Sequence, residues 1–213
     1  MVLDGKGTSS MKKYVLDKLM LLVVKDEVYD EKTLIEIRYG LEAIFISFTR
    51  LATFMIINAL IGNFLIGLIY AGFFVILKSF SYGFHAKTSF QCWILSALSY
   101  IGLPWLANFI HFNEVTIFLL IPFFFITFLL WSPADTYKRP LVNIKKRRVL
   151  KIISLIIIII YSNIIIFVPS LSTIIILGIL NQLFFINPLT YFIFQSPYKN
   201  YMRYDLERSD NNG

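Results

Sequence analysis

Charge is scarce in this chain. Of its 213 residues, 15% are Asp, Glu, Lys or Arg and 57% are hydrophobic, whereas a water-soluble domain carries about 25% charged residues; a soluble globular domain is excluded. Cysteine is scarcer still: Cys92 stands alone, so no disulfide can form within the chain. With only two histidines beside it, His85 and His111, the Cys and His spacings of a metal site are absent, and no cofactor is signalled. Internal repeats, low-complexity tracts and a second folded domain are missing too. The net charge of +7 in so apolar a chain reflects anionic lipid and membrane topology, and does not imply nucleic acid.

What is present is a series of apolar runs dominated by Phe and Ile, from about residue 41 to residue 194. A helix crosses a bilayer core of about 30 Å with roughly 20 apolar residues. Residues 44–77 are too long for one crossing and suffice for two, with a break at Asn58–Asn63; 91–131 breaks at His111–Val115, and 152–194 at Val168–Ser172. Each block reads as a helical hairpin, giving spans near 41–59, 61–77, 91–110, 115–131, 152–168 and 171–194. The basic residues test this count, because short cytoplasmic loops collect Lys and Arg. The hairpin tips hold none, and of the 20 basic residues all but Arg50 fall on the opposite side. The expected fold is an all-α polytopic membrane protein with six transmembrane helices and both termini cytoplasmic.

The expected organisation is a cytoplasmic or interfacial segment at 1–40, a membrane domain at 41–194 and a cytoplasmic tail at 195–213. The apolar stretch Leu19–Val24 is too short to span and too acidic in its surroundings for a secretory signal. Met11, Tyr14, Val15, Lys18 and Leu22 share a helical face on which only Lys18 is charged. Residues 10–25 therefore read as an N-terminal amphipathic helix lying in the interface, with a small helix packed on the bundle as the other reading.

Chemistry has few homes. His111 falls at an outer hairpin tip, a membrane's width from Cys92, whereas His85 lies on the same side as Cys92 and seven residues before it. In one unbroken helix that spacing leaves about 10 Å along the axis, while a nucleophile and its base need roughly 3 Å. The helix must break between them, and Gly83 with the polar run Lys87, Thr88, Ser89 offers the places. The plain reading of a lone membrane Cys is a packing residue, and of a loop His a solvated side chain.

The strings SYGFHAKTSFQC at 81–92 and SPADTYKRP at 132–140 resemble the signature segments of the accessory gene regulator protein B (AgrB) family, membrane cysteine endopeptidases that process the precursor of a cyclic quorum-sensing peptide in Gram-positive bacteria. The resemblance covers nearly the whole chain and places it in a bacterial plasma membrane. It implies His85 and Cys92 as the catalytic pair and Gly83 as a required glycine, with no cofactor. Lys78, where the family more often shows Arg, and Tyr82, where it often shows a second Gly, depart from the pattern. It further implies an AgrD-like precursor peptide as partner, alongside membrane lipid, and a homodimer. The implied reaction is attack by Cys92 on a backbone carbonyl, leaving a thioester that an internal Cys or Ser of the peptide resolves to a thiolactone or lactone.

Around that pair, Lys78 and Lys87 would favour the thiolate; no third, orienting residue is evident, Gln91 and Asp135 being the two that could serve. Arg50, costly within a span, reads either as a partner for a substrate carboxylate, Asp135 or Glu42, or as a snorkelling side chain. The basic stretch Lys138, Arg139, Lys145, Lys146, Arg147 and Arg148 reads as a topology determinant, as a dock for an acidic peptide, or as both. Asn163, Asn181 and Asn187 are expected to bond between helices. The competing class is a peptide transporter or channel without proteolytic activity.

Overall fold

The computed structural model describes residues 10–24, 29–86, 88–136 and 140–202, and in these the regular structure is helical apart from isolated β-bridges. Helix α1 covers Ser10–Val23, α2 Glu31–Leu60 and α3 Phe64–Ser81. Next come α4 (Ser89–Ala97), a π-helical turn (Leu98–Gly102) and α5 (Leu103–Leu106), followed by α6 (Glu114–Trp131), α7 (Ile144–Phe167), α8 (Pro169–Ile186) and the short α9 (Pro188–Ile193). Among the described residues, five helices are long and apolar enough to cross a membrane: α2, α3, α6, α7 and α8. The chain is a polytopic plasma-membrane protein.

The third expected span is the one without a single long helix. Residues 89–106 stay in helical dihedrals, but the π turn interrupts them. The cause is local: Pro104 has no N–H to give the Tyr100 carbonyl four residues back, and the Asn58 side-chain amide fills that place at 2.8 Å.

Other boundaries differ for similar reasons. Helix α2 starts well before residue 41 because Glu31, Lys32, Leu34 and Glu36 are compatible with a helix that continues beyond the apolar stretch. Residues 145–151 are helical rather than loop, since Asn143 caps α7 by accepting from the Lys146 amide at 3.1 Å. The last expected span is broken at Pro188, with Asn187 capping α9 through the Leu189 amide at 2.9 Å. That capping role corrects one asparagine expectation; Asn163 corrects another by bonding its own helix at Ile159 O, 2.7 Å away. Asn181 does bridge helices, accepting from Ser99 at 3.3 Å and donating to the Tyr70 hydroxyl at 2.9 Å.

The chain forms two compact units, Met1–Phe54 and Met55–Gly213. In the first, Arg38 meets Asp17 at 3.4 Å, a half-exposed pair that adds little stability. In the second, α8 is the central element: 67% of its apolar window is buried, against 33% for α3 and 39% for α7. It packs on α3, α6 and α7. The turn after α2 is a Schellman motif, with the Asn63 amide on Asn58 O, the Gly62 amide on Ala59 O and Gly62 at φ +73°.

Candidate active site

The chain leaves helix α3 at Tyr82 and enters α4 at Ser89, so His85 lies in the break between the two helices and Cys92 in the helix after it. Tyr82 and Ala134 form a parallel β-bridge. Its bonds run from the Gly83 amide to Ala134 O at 2.8 Å and from the Ala134 amide to Ser81 O at 3.0 Å. The Phe84 amide donates to Phe185 O on α8 at 2.7 Å. On the other edge, Gln182 of α8 donates its side-chain amide to Ser81 Oγ and to the Tyr82 carbonyl. Backbone bonds thus join the two motif segments directly.

Side chains complete the clamp. Phe84 is buried, stacked on Phe194 at 4.8 Å and edge-on to Tyr191 at 5.8 Å. His85, the next residue, is exposed. Thr88 caps α4 by accepting from the Gln91 amide at 3.2 Å, and Cys92, half-buried, donates its own amide to Thr88 O at 3.1 Å. Cys92 therefore sits in the first turn of α4. The Lys78 ammonium lies over the Phe185 ring, 4.0 Å from its centroid.

Asp135 is buried, and its carboxylate is occupied by three backbone amides: Asn200 at 2.9 Å, Tyr201 at 2.8 Å and Leu141 at 3.3 Å. Its carbonyl accepts from the Tyr191 hydroxyl at 3.0 Å. The SPAD segment is thus a bracket, tying the His85 segment on one side to the start of α7 and the chain after α9 on the other. Burial, and then Tyr201 and Asp135, push the nearby Tyr198 phenol up to about 12, so it stays neutral.

The family model for accessory gene regulator B matches residues 15–186. The chain belongs to that family. An AgrB family relative described as AgrB-like, from Listeria monocytogenes serovar 1/2a, is 30% identical over 188 residues, covering 87% of this chain and 92% of its own. One from Clostridium acetobutylicum is 29% identical over 208 residues, 96% of this chain and 98% of the relative. One from Lactiplantibacillus plantarum is 26% identical over 175 residues, 81% and 88% respectively. No solved structure matches the chain.

Within this AgrB family chain, Lys78, Gly83, His85, Gln91 and Cys92 follow one another along the stretch from the last turn of α3 to the first of α4. Arg50 belongs to the first compact unit, half-buried on α2. Lys145, Lys146 and Arg148 are exposed on the first turns of α7, while Arg147 is half-buried. Lys87, Lys138 and Arg139 lie outside the described residues, as does the tail from residue 203. The sequence reading passed over Gln182 and Phe185, which hold the backbone before His85; a glutamine in an otherwise apolar helix was the available signal, since such a side chain needs a partner.

Gly83 yields a direct expectation. Its φ is +127°, and a Cβ there would stand 2.9 Å from Phe185 O and 3.0 Å from Phe185 Cβ. An alanine meets both backbone strain, about 1–3 kcal/mol, and a clash with α8 that only displacement of the segment relieves. Gly83→Ala should therefore insert normally and lose activity by at least about tenfold, each 1.4 kcal/mol being a factor of ten. Full activity would show that the clamp does not govern where His85 sits.

Proposed function

We propose that the chain is a membrane cysteine endopeptidase that cleaves an AgrD-like precursor peptide at the cytoplasmic face of the membrane. The carrying observation is the clamped segment: Gly83 and Phe84 are held by Ala134 and Phe185, with exposed His85 directly after them and Cys92 in the first turn of the next helix. Family membership supports the same assignment.

In this mechanism the Cys92 thiolate attacks a backbone carbonyl of the peptide, and His85, having taken the thiol proton, returns it to the leaving amine. The C–N bond breaks, the C-terminal fragment departs, and the remaining acyl group stays on Cys92 as a thioester. An internal Cys or Ser of the peptide then displaces Sγ, closing a thiolactone or lactone and restoring the enzyme thiol. Lys78, in the last turn of α3, is the cation that in this reading favours the thiolate. The other partners of this reading are membrane lipid and a second copy of the chain, as a homodimer. Co-expression with candidate precursors, followed by weighing of the products, tests it: cyclic or cleaved peptide supports the peptidase, and intact exported peptide alone supports a transporter.

In this reading the one-sided Lys and Arg keep the His85–Cys92 segment, both termini and the basic turns of α7 on the cytoplasmic side, hence six crossings with α4 to α5 as the third. A cysteine placed at Asn113 in a Cys92→Ser background should react with an impermeant thiol reagent from outside intact cells, and one at Lys146 should not. Labelling at 146 would remove the α4 to α5 crossing and overturn the six-span topology.

A further inference from the structure

Beside the bracket made by Asp135 lies a cavity of about 250 Å³ that the proposed chemistry does not use. Arg147, Arg148 and Lys151 from the first turns of α7 line it, with Lys199 from the chain after α9 and Trp131 from the end of α6. The Arg147 guanidinium stacks 3.6 Å over the Tyr201 ring, yet its Nη1 is buried and has no hydrogen-bond partner among the described residues. A buried charged donor in that condition carries a desolvation cost that an anionic acceptor removes. Asp135 also lines the cavity, but its oxygens are taken by the three amides of Leu141, Asn200 and Tyr201. The cavity therefore presents four cations against one engaged carboxylate.

A second, apolar cleft of about 410 Å³ lies further along the same helix pair, lined by Pro122 and Phe125 of α6 and by Ile158, Ile159 and Ile166 of α7. On α7, the lining positions 147, 148, 151, 158, 159, 162, 163 and 166 fall within a stripe of about 160°, less than half the circumference, at 3.6 residues per turn. From Arg147 to Ile158 the rise is about 16 Å. One face of α7 thus passes from a cationic cavity at the helix end to an apolar groove at membrane depth. The charge calls for an anion; the groove calls for a hydrocarbon on the same molecule.

We propose that the α6–α7 cleft holds one anionic phospholipid, its phosphate among Arg147, Arg148, Lys151 and Lys199 and an acyl chain along the groove. A peptide carboxylate or free phosphate would satisfy the cations and leave the groove unused. Such a lipid would brace the base of α7 against the bracket that carries the second motif segment.

The test uses the full chain, purified in detergent and stripped of lipid, then mixed with phosphatidylglycerol or phosphatidylcholine and weighed intact by native mass spectrometry. One phosphatidylglycerol per chain should be retained, at least tenfold over phosphatidylcholine. Arg147→Gln with Lys151→Gln should lower that retention tenfold or more, and Arg148→Gln with Lys199→Gln gives an independent reading should the first pair reduce yield. Lys145→Gln with Lys146→Gln removes equal charge outside the cavity and should change retention less than twofold. Equal loss in both α7 pairs would reduce the effect to diffuse attraction and overturn the site. Displacement of the lipid by equimolar inorganic phosphate or by an acidic peptide would overturn the lipid as occupant.

Discussion

Cys92→Ala should abolish cleavage of a co-expressed precursor outright, with the protein still inserted at wild-type level. Alanine supplies no nucleophile, and nothing else in a chain with a single cysteine can form the thioester. His85→Ala should be less complete, because a general base contributes about 10²- to 10⁴-fold while a thiol retains intrinsic reactivity. Its residual activity should climb with pH, as more thiol ionises without assistance. The inserted amount and melting temperature of each variant separate damage from chemistry, and backbone bonds of Gly83 and Phe84 hold the segment in both. With wild-type enzyme and a precursor lacking its internal nucleophile, the acyl group should persist on Cys92 and be released by hydroxylamine. Wild-type cleavage by Cys92→Ala in membranes free of other peptidases would end the peptidase reading.

The second large effect is expected at Asp135, through stability rather than through chemistry. Asp135→Asn keeps the shape but turns one acceptor oxygen into an amide donor, facing the backbone amides of Asn200, Tyr201 or Leu141. Hydrogen bonds to a charged group are worth about 1.5–3 kcal/mol each; losing one and leaving its partner buried should cost about 3 kcal/mol. For a chain of this size that corresponds to a fall in melting temperature of roughly 6–12 °C, measured in detergent. Activity should fall in parallel, since Ala134, the residue beside it, holds Gly83. A variant that melts like the wild type yet has lost its cleavage would instead put Asp135 in the reaction.

Much of this protein follows from its amino-acid order alone. The apolar runs and the one-sided placement of Lys and Arg define a multi-span membrane chain because hydrocarbon and leaflet charge act on each segment separately. The residues proposed for the site, His85 and Cys92 with Gly83 between helices, stand in one short string, and the resemblance of that string singled them out where the residues alone read as a packing Cys and a solvated His. Tertiary structure decided what joins distant parts of the chain. Pro104 frees the Tyr100 carbonyl in a way visible in sequence, but that Asn58 receives it is not. Gly83 signals a turn, while the reason an alanine is forbidden is the Phe185 backbone more than a hundred residues later. Asp135 reads as a candidate partner for His85 until folding brings Leu141, Asn200 and Tyr201 to its carboxylate. Local propensity and hydropathy fall off within a few residues, whereas these bonds depend on which helices pack together, and only the folded bundle selects them.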